Sequence, residues 1–543
     1  MYQLSAVINN LNIFLFIILG LSYLSPNIFS IWPNAIQDFF AILFLILLFF
    51  LKPILKFKLY LLVYFFLFLV LIIPFFQYYL LHIIYFKETL ILVIFYLFIF
   101  FSSIVFGLSY DNWYIDKYFW AGSFIIYGLS SVFIQLYQIY FINDSIWILK
   151  NDSLRPFANM GQPNQLATLL IISNIFSIFL YTLKKLKFSI FFLINFILLY
   201  GVALTQSRTA WLSLAIITIL AIFKKKSKLS KIFIVNFVTF SILIYVSAFF
   251  NRYSIFWIES SNPVRTFYDA ARPYIWQQIT KGCLEFPLQG VGWGQTSIAQ
   301  TYGSLTYPNI IIAEYAHNII LDLMAWNGLP LGSIIVLCLF LYGVKVYLSI
   351  NDKENFILFS IIFAFTIHSL LEFPFAYAYF LIPVGIILGV LHTNLFKDYY
   401  AYISGKKVSV ILPCILLFFL VIISVDYLKI KKIISKYSYQ SFNNKSIEPV
   451  TDKIYVLDKL AMQTNINYLD SCKVINLYSY NDIFHLTYLF PNRKNISILY
   501  QSTVYKSIND KSIENLMQSI YGQNYKKSLN YYYKNANACQ SNS

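Results

Sequence analysis

Four polar segments interrupt an otherwise apolar chain, and their side chains are of kinds that bind anions or move protons. The first is Arg155-Pro156-Phe157-Ala158-Asn159-Met160-Gly161-Gln162-Pro163-Asn164-Gln165, where Pro163 suits the start of a helix. The second, Thr205-Gln206-Ser207-Arg208-Thr209-Ala210-Trp211, is squeezed between two apolar runs. An arginine so near hydrocarbon must pair, or reach to the interface. The third begins at Arg265 and Arg272, passes Pro287-Leu288-Gln289-Gly290-Val291-Gly292-Trp293-Gly294, and ends at Glu314-Tyr315-Ala316-His317-Asn318. The fourth is His368-Ser369-Leu370-Leu371-Glu372-Phe373-Pro374, followed by Tyr377 and Tyr379.

Arginine offers a planar fork of donors that matches phosphate oxygens, which lysine does not. Histidine titrates near neutrality and can take a proton from a hydroxyl. Together they suit an anionic lipid head that carries a leaving group. Each segment also has a plainer reading. Gln162 and Asn164 can cap a membrane helix, Arg208 can anchor at the interface beside Trp211, and His317 can be structural. His368 and Glu372, four apart on one helix face, can orient another group or form a buried pair between spans. The glycine run lacks both the GxGxxG order and the Lys-Ser/Thr of a phosphate loop, which argues against nucleotide. With no HExxH, no carboxylate-rich external motif and no pair of aspartates at metal-ligand spacing, neither a metal nor another cofactor is expected. Charge on a leaving diphosphate then falls to the arginines.

The elements that position these residues follow from composition. Of 543 residues, 59% are hydrophobic and 12% charged, against about 25% charged in soluble domains. Mean hydropathy is +0.67. At about 20 apolar residues per span the chain reads as an all-α, polytopic membrane protein with about 12–13 transmembrane helices. One stretch, 318–347, is too long for a single span and breaks at Gly328-Leu329-Pro330. Residues 1–31 lack the basic start of a cleavable signal, so the first span is expected to stay.

The net charge of +17 does not point to nucleic acid, because no zinc-finger or helix-turn-helix spacing accompanies it. Lysines crowd one alternate set of loops, as in Lys184, Lys185 and Lys187, or Lys224, Lys225 and Lys226. That set is expected on the cytoplasmic side, which puts the 251–317 loop and the tail outside. The other set holds Arg155, Arg208, Arg265 and Arg272. Three regions result: N-terminal membrane helices over 1–150; a catalytic membrane core over 151–425 with an external loop at 251–317; and a soluble, mostly helical domain over 426–543, frayed after Tyr533. The five cysteines are scattered, with no CxxC pair, and leave disulfide pairing open.

The four segments, in this order, resemble the bacterial O-antigen ligase and O-oligosaccharyltransferase superfamily, which also contains Wzy-type polymerases. Within it, Arg155-Pro156-Phe157 with Gln162-Pro163-Asn164, the stretch from Pro74 to Gln77 and the long soluble tail are most similar to the PglL-like protein O-oligosaccharyltransferases. Where that branch commonly has histidine this chain has Gln165, and Asp38 stands as the counterpart of an early acidic residue. The resemblance implies an inner-membrane enzyme with its active site in the periplasm. Its donor would be an oligosaccharide linked to undecaprenyl diphosphate, and its acceptor an exported, pilin-like protein. His317 would be the catalytic base, with Arg208 and Arg272 on the diphosphate. Arg155, Gln162, Asn164, Gln206, Arg265, His368, Glu372 and Tyr377 are expected to bind substrate. An O-antigen ligase acting on lipid A-core, a polymerase and a transporter remain open as alternatives.

Overall fold

A computed structural model describes the chain except for residues 1, 27–31, 142–144, 152–154, 225–226, 254–271, 309–312, 397–400, 444–445, 450–451, 509–510, 523–524 and 542–543. Arg265 therefore lies outside the described residues. The first nine helices are α1 (Tyr2–Leu24), α2 (Ala35–Leu51), α3 (Leu61–Tyr79), α4 (Lys87–Leu108), α5 (Trp113–Tyr140), α6 (Pro163–Thr182), α7 (Phe188–Leu204), α8 (Arg208–Phe223) and α9 (Ser227–Tyr253). Next come the short α10 (Arg272–Glu285) and α11 (Thr296–Ser304), then α12 (Ile319–Ser349), α13 (Lys353–Ser369), α14 (Ala378–Leu395) and α15 (Lys406–Phe442). The tail holds α16 (Asp458–Tyr468), α17 (Ser471–Leu477), α18 (Tyr480–Leu489), α19 (Arg493–Tyr505), α20 (Lys511–Tyr521) and α21 (Tyr525–Ser541).

The fold is all-α and polytopic. The over-long stretch 318–347 falls on α12, and among the described residues eight helices are long and apolar enough to cross a membrane. Two short strands, β1 (Lys56–Leu59) and β2 (Ala401–Ser404), form an antiparallel ribbon that the sequence did not announce.

Packing divides the chain into two units. The first comprises Met1–Leu67, Tyr96–Arg265 and Leu341–Phe418. Its centre is α6, whose side chains from Asn164 to Leu180 are all buried against α5, α7 and α13. A helix apolar all round belongs in the middle of a bundle. Small residues let backbones close up: a Cβ on Gly107 would lie 2.1 Å from the Ile386 carbonyl oxygen. Several polar groups inside the bundle pair with one another. Asn174, Asn195 and Asn236 join their amides in a closed ring across α6, α7 and α9. Asp116 collects Lys52, Asn12 and Tyr110.

The second unit comprises Phe68–Phe95, Thr266–Phe340 and Phe419–Ser543. Here α10 and α11 share one apolar core with the tail helices, built from residues such as Ile279, Ile298, Leu486 and Leu499. Thr301 on α11 donates to the Tyr488 carbonyl at 2.9 Å. The loop and the tail therefore lie on the same side of any membrane that α12 and α15 cross. One expectation for the tail needs correction, because the residues from 534 to 541 belong to α21. The tail also holds a disulfide, Cys472–Cys539, across 67 residues. Polar composition had suggested fraying, but the last turn is tied covalently to α17.

Candidate functional site

In the first unit, two glutamines on α5 build the turn that carries Arg155. Gln138 accepts from the backbone N–H groups of Phe157 and Ala158 and donates to the carbonyls of Leu149 and Ala158. Gln135 donates to the Pro156 and Gly201 carbonyls. Asn159, 1% exposed, donates to the carbonyls of Leu24 and Trp147. Those contacts absorb the strain of a left-handed Ala158 (φ 51). The half-buried Arg155 guanidinium donates to the Thr205 carbonyl at 2.9 Å and to Asn164 Oδ1 at 3.2 Å.

Asn164 in turn donates to Glu372 Oε1 at 2.7 Å. One turn along α6, Thr168 Oγ1 meets His368 Nδ1 at 2.8 Å. Glu372 and His368 are 3% and 0% exposed, and Asn164 and Thr168, their partners on α6, are buried as well. The Tyr377 and Tyr379 rings stack at 5.3 Å, and Tyr379 donates to Gln165 at 2.8 Å. Asp38 accepts from the Ala378 N–H and from Tyr96, fixing the start of α14. Gln162, half-buried, occupies the N-cap of α6 without a side-chain cap bond.

The Thr205–Trp211 segment is a tight turn between α7 and α8. Gln206 is exposed and left-handed (φ 50), while Ser207 caps α8 by accepting from the Ala210 N–H. Arg208 is the first residue of that helix and is exposed. A cation there opposes the helix dipole at a cost of about 0.3–1 kcal/mol, and a bound anion reverses the sign.

In the second unit, Arg272 similarly opens α10. Further along, the glycine run completes a broken helix. Gly328 (φ 74, ψ 167) interrupts α12, and Pro330 has no N–H to offer the preceding turn. Val291 and Gly292 donate instead to the Ala325 and Trp326 carbonyls at 2.8 and 3.2 Å, and the Leu329 N–H turns to the Pro287 carbonyl at 2.7 Å. The loop thus supplies the hydrogen bonds that the kink removes. Gln77 adds two more, to Trp326 and from Trp293.

His317 sits where this assembly meets the start of α12. It is half-buried and left-handed (φ 53), directly before Asn318, which caps the helix by accepting from Ile320 and Leu321. The turn is held from two sides. Trp276 donates to the Ala316 carbonyl at 2.7 Å. Asp322, 0% exposed, accepts from the Ala316 N–H at 2.9 Å and from Thr296 at 2.6 Å. Burial and the Asp322 carboxylate push the nearby Cys283 thiol up to about 11, so it stays protonated.

The predicted residues thus fall in two groups. Arg155, Asn164, Glu372 and His368 join in one network in the first unit, linked by Thr168, which the sequence reading did not name; Gln162, Gln206, Arg208 and Tyr377 lie on neighbouring segments of that unit. His317 and Arg272 belong to the second. Sequence reasoning missed Asp322, Thr296, Gln135 and Gln138. An acid in the first turn of an apolar span was a legible signal for Asp322; nothing local marked the others. Among the described residues no three His, Cys, Asp or Glu side chains converge as metal ligands.

Comparison with known proteins adds the following. A family model described as O-Antigen ligase matches residues 193–336, which include Arg208, Arg272 and His317. One described as protein glycosylation ligase matches 156–181, and one for the C-terminal part of a virulence factor membrane-bound polymerase matches 356–504. The chain is 31% identical over 523 residues to the ComP-specific O-oligosaccharyltransferase of Acinetobacter baylyi, covering 92% of this chain and 93% of that protein. It is 30% identical over 257 residues to the general O-oligosaccharyltransferase of the same organism, covering 45% and 44%.

Proposed function

This chain belongs to the O-oligosaccharyltransferase family of membrane glycosyltransferases, and we propose that it moves a preassembled glycan en bloc from undecaprenyl diphosphate to a Ser or Thr hydroxyl of an exported, pilin-like protein. The single observation that carries this reading is the match to a protein named for one protein acceptor, along nearly the full length of both chains. The match to the protein glycosylation ligase model, over the segment containing Gln162 and Asn164, supports it.

In the proposed reaction His317 takes the proton of the acceptor hydroxyl. The hydroxyl oxygen attacks the anomeric carbon opposite the diphosphate, the carbon–oxygen bond to phosphate breaks, and the diphosphate leaves with the electron pair. The anomeric configuration inverts. Arg208 and Arg272 hold the diphosphate and stabilise the charge that grows on it. Arg155 assists, and its guanidinium is aimed by Asn164 and Thr205. Glu372 and His368 act from behind, through Asn164 and Thr168. Gln162, Gln206, Arg265 and Tyr377 are assigned to substrate contact, and no metal takes part. The site faces the periplasm of the bacterial inner membrane. Lysine bias supports this orientation, and so does the Cys472–Cys539 disulfide, a bond that persists in oxidising compartments.

An O-antigen ligase is the second reading, favoured by the family model over residues 193–336. The test is to reconstitute the protein with undecaprenyl-diphosphate glycan and offer a pilin-like protein, lipid A-core and a second donor molecule in turn. Mass spectrometry is expected to find glycan on Ser or Thr of the protein. Product only on lipid A-core makes the chain a ligase, and elongated lipid-linked glycan makes it a polymerase.

A further inference from the structure

The turn that presents His317 is fastened to a carboxylate that transport to an apolar environment makes costly. Asp322 is fully buried one turn into α12, and burying a charge is tolerated only where it is compensated. Its Oδ1 is satisfied by Thr296 at 2.6 Å and by the Ala316 N–H at 2.9 Å. Thr296 is itself fixed by the Trp326 indole at 2.7 Å. The other oxygen, Oδ2, is buried and takes no hydrogen bond among the described residues. The Ala316 N–H that Oδ1 holds belongs to the residue directly before His317.

A helix cap does not need this arrangement, because Asn318 already caps α12. Nor does packing, since an apolar side chain would fill the site without the desolvation cost of a carboxylate. We propose that Asp322 is the positioning residue of the transfer reaction: it fixes the left-handed turn at His317 and stabilises the imidazolium that forms when His317 takes the acceptor proton. The inference rests on His317 being the base. As the acceptor O–H bond breaks, positive charge appears on the imidazole, and the adjacent buried carboxylate lowers its energy; the proton itself stays on His317 until it is lost to solvent.

The titratable groups around Asp322 are His317 from the turn and the Cys283 thiol from α10, which stays neutral below about 11. From α11 comes only the neutral Thr296. Glu314 is exposed three residues before His317, and Arg272 stands at the start of α10. The sign of the pH effect follows. A nearby carboxylate favours the charged imidazole, and Asp322→Asn removes that preference. Transfer needs the neutral imidazole, so the acid limb of the kcat/KM profile moves to lower pH.

The test compares full-length wild type, Asp322→Asn, Thr296→Val and His317→Ala, with undecaprenyl-diphosphate glycan as donor and a pilin-like protein as acceptor. In Asp322→Asn, kcat is expected to fall about 10- to 100-fold with KM and donor binding unchanged. Its acid limb should move down by about 0.5–1 pH unit. Thr296→Val keeps the charge but loosens the carboxylate; kcat should drop several-fold with the limb in place, which covers the case of an Asp322→Asn protein that does not fold. Wild-type kcat in both variants overturns the inference, as does a loss of rate that only follows a lowered Tm with the acid limb unmoved. Full activity in His317→Ala removes the base itself and so fails the underlying reading, a result distinguishable from failure at Asp322 alone.

Discussion

Arg208 and Arg272 each open a helix, where the dipole repels a cation and welcomes an anion. The diphosphate proposed as their ligand is an anion of the kind that a helix start favours. Their contribution should be greatest as the leaving group departs, because that is when charge concentrates on its oxygens. Arg208→Lys and Arg272→Lys keep the charge and lose the planar fork. Each is expected to cost about 2–4 kcal/mol of transition-state stabilisation, or about 30- to 1,000-fold in kcat/KM. Turnover at fixed acceptor with varied lipid-linked glycan measures this, and wild-type rates would reduce both residues to membrane anchors. The residue types of this set were legible in the sequence, since arginine, histidine and amide side chains stand out against apolar runs. Their partners were not. Asn164 finds Glu372 across 208 residues, and no local spacing encodes such a pairing. Asp322 was visible as an acid at the start of an apolar span, but its partners Thr296 and Ala316 meet it only in the fold.

Among elements, the broken helix α12 shows how far pattern reaches. The Gly328-Leu329-Pro330 break was legible because proline removes a donor, and the structure places the non-helical residue at Gly328. What completes the break was not legible. The glycine run reads locally as a compact turn, and only the fold shows its N–H groups donating to the Ala325 and Trp326 carbonyls. Gly290 is the tightest point, with φ +70, and a Cβ there would lie 2.5 Å from both the Ala325 oxygen and the Gly328 nitrogen. Gly290→Ala should therefore cost about 1–3 kcal/mol through strain and clash. Thermal unfolding of the detergent-solubilised protein is expected to show a Tm lowered by several degrees. Gly343→Ala, in open space on α12, should not lower it. Equal Tm values for the two variants would mean that the glycine run does not brace the kink.

For the molecule as a whole, hydropathy made the polytopic all-α fold plain, because lipid leaves helices as the economical way to satisfy a spanning backbone. The joining of the external loop and the tail in one core could not be read, since it depends on apolar faces that match only in space, such as α11 against α18. Nor could the closure of the tail by Cys472–Cys539, as isolated cysteines carry no pairing information. These features make the second unit a folded body around His317, and the central claim is that this histidine performs the chemistry. The most direct measurement places wild type and His317→Ala in liposomes with undecaprenyl-diphosphate glycan and a pilin-like acceptor. Glycan transfer and donor binding are followed on the same preparations. The account predicts that the variant binds donor and unfolds at the wild-type temperature, while transfer falls by at least about 100-fold, the scale of a lost general base. Transfer at the wild-type rate by a folded His317→Ala protein would contradict it.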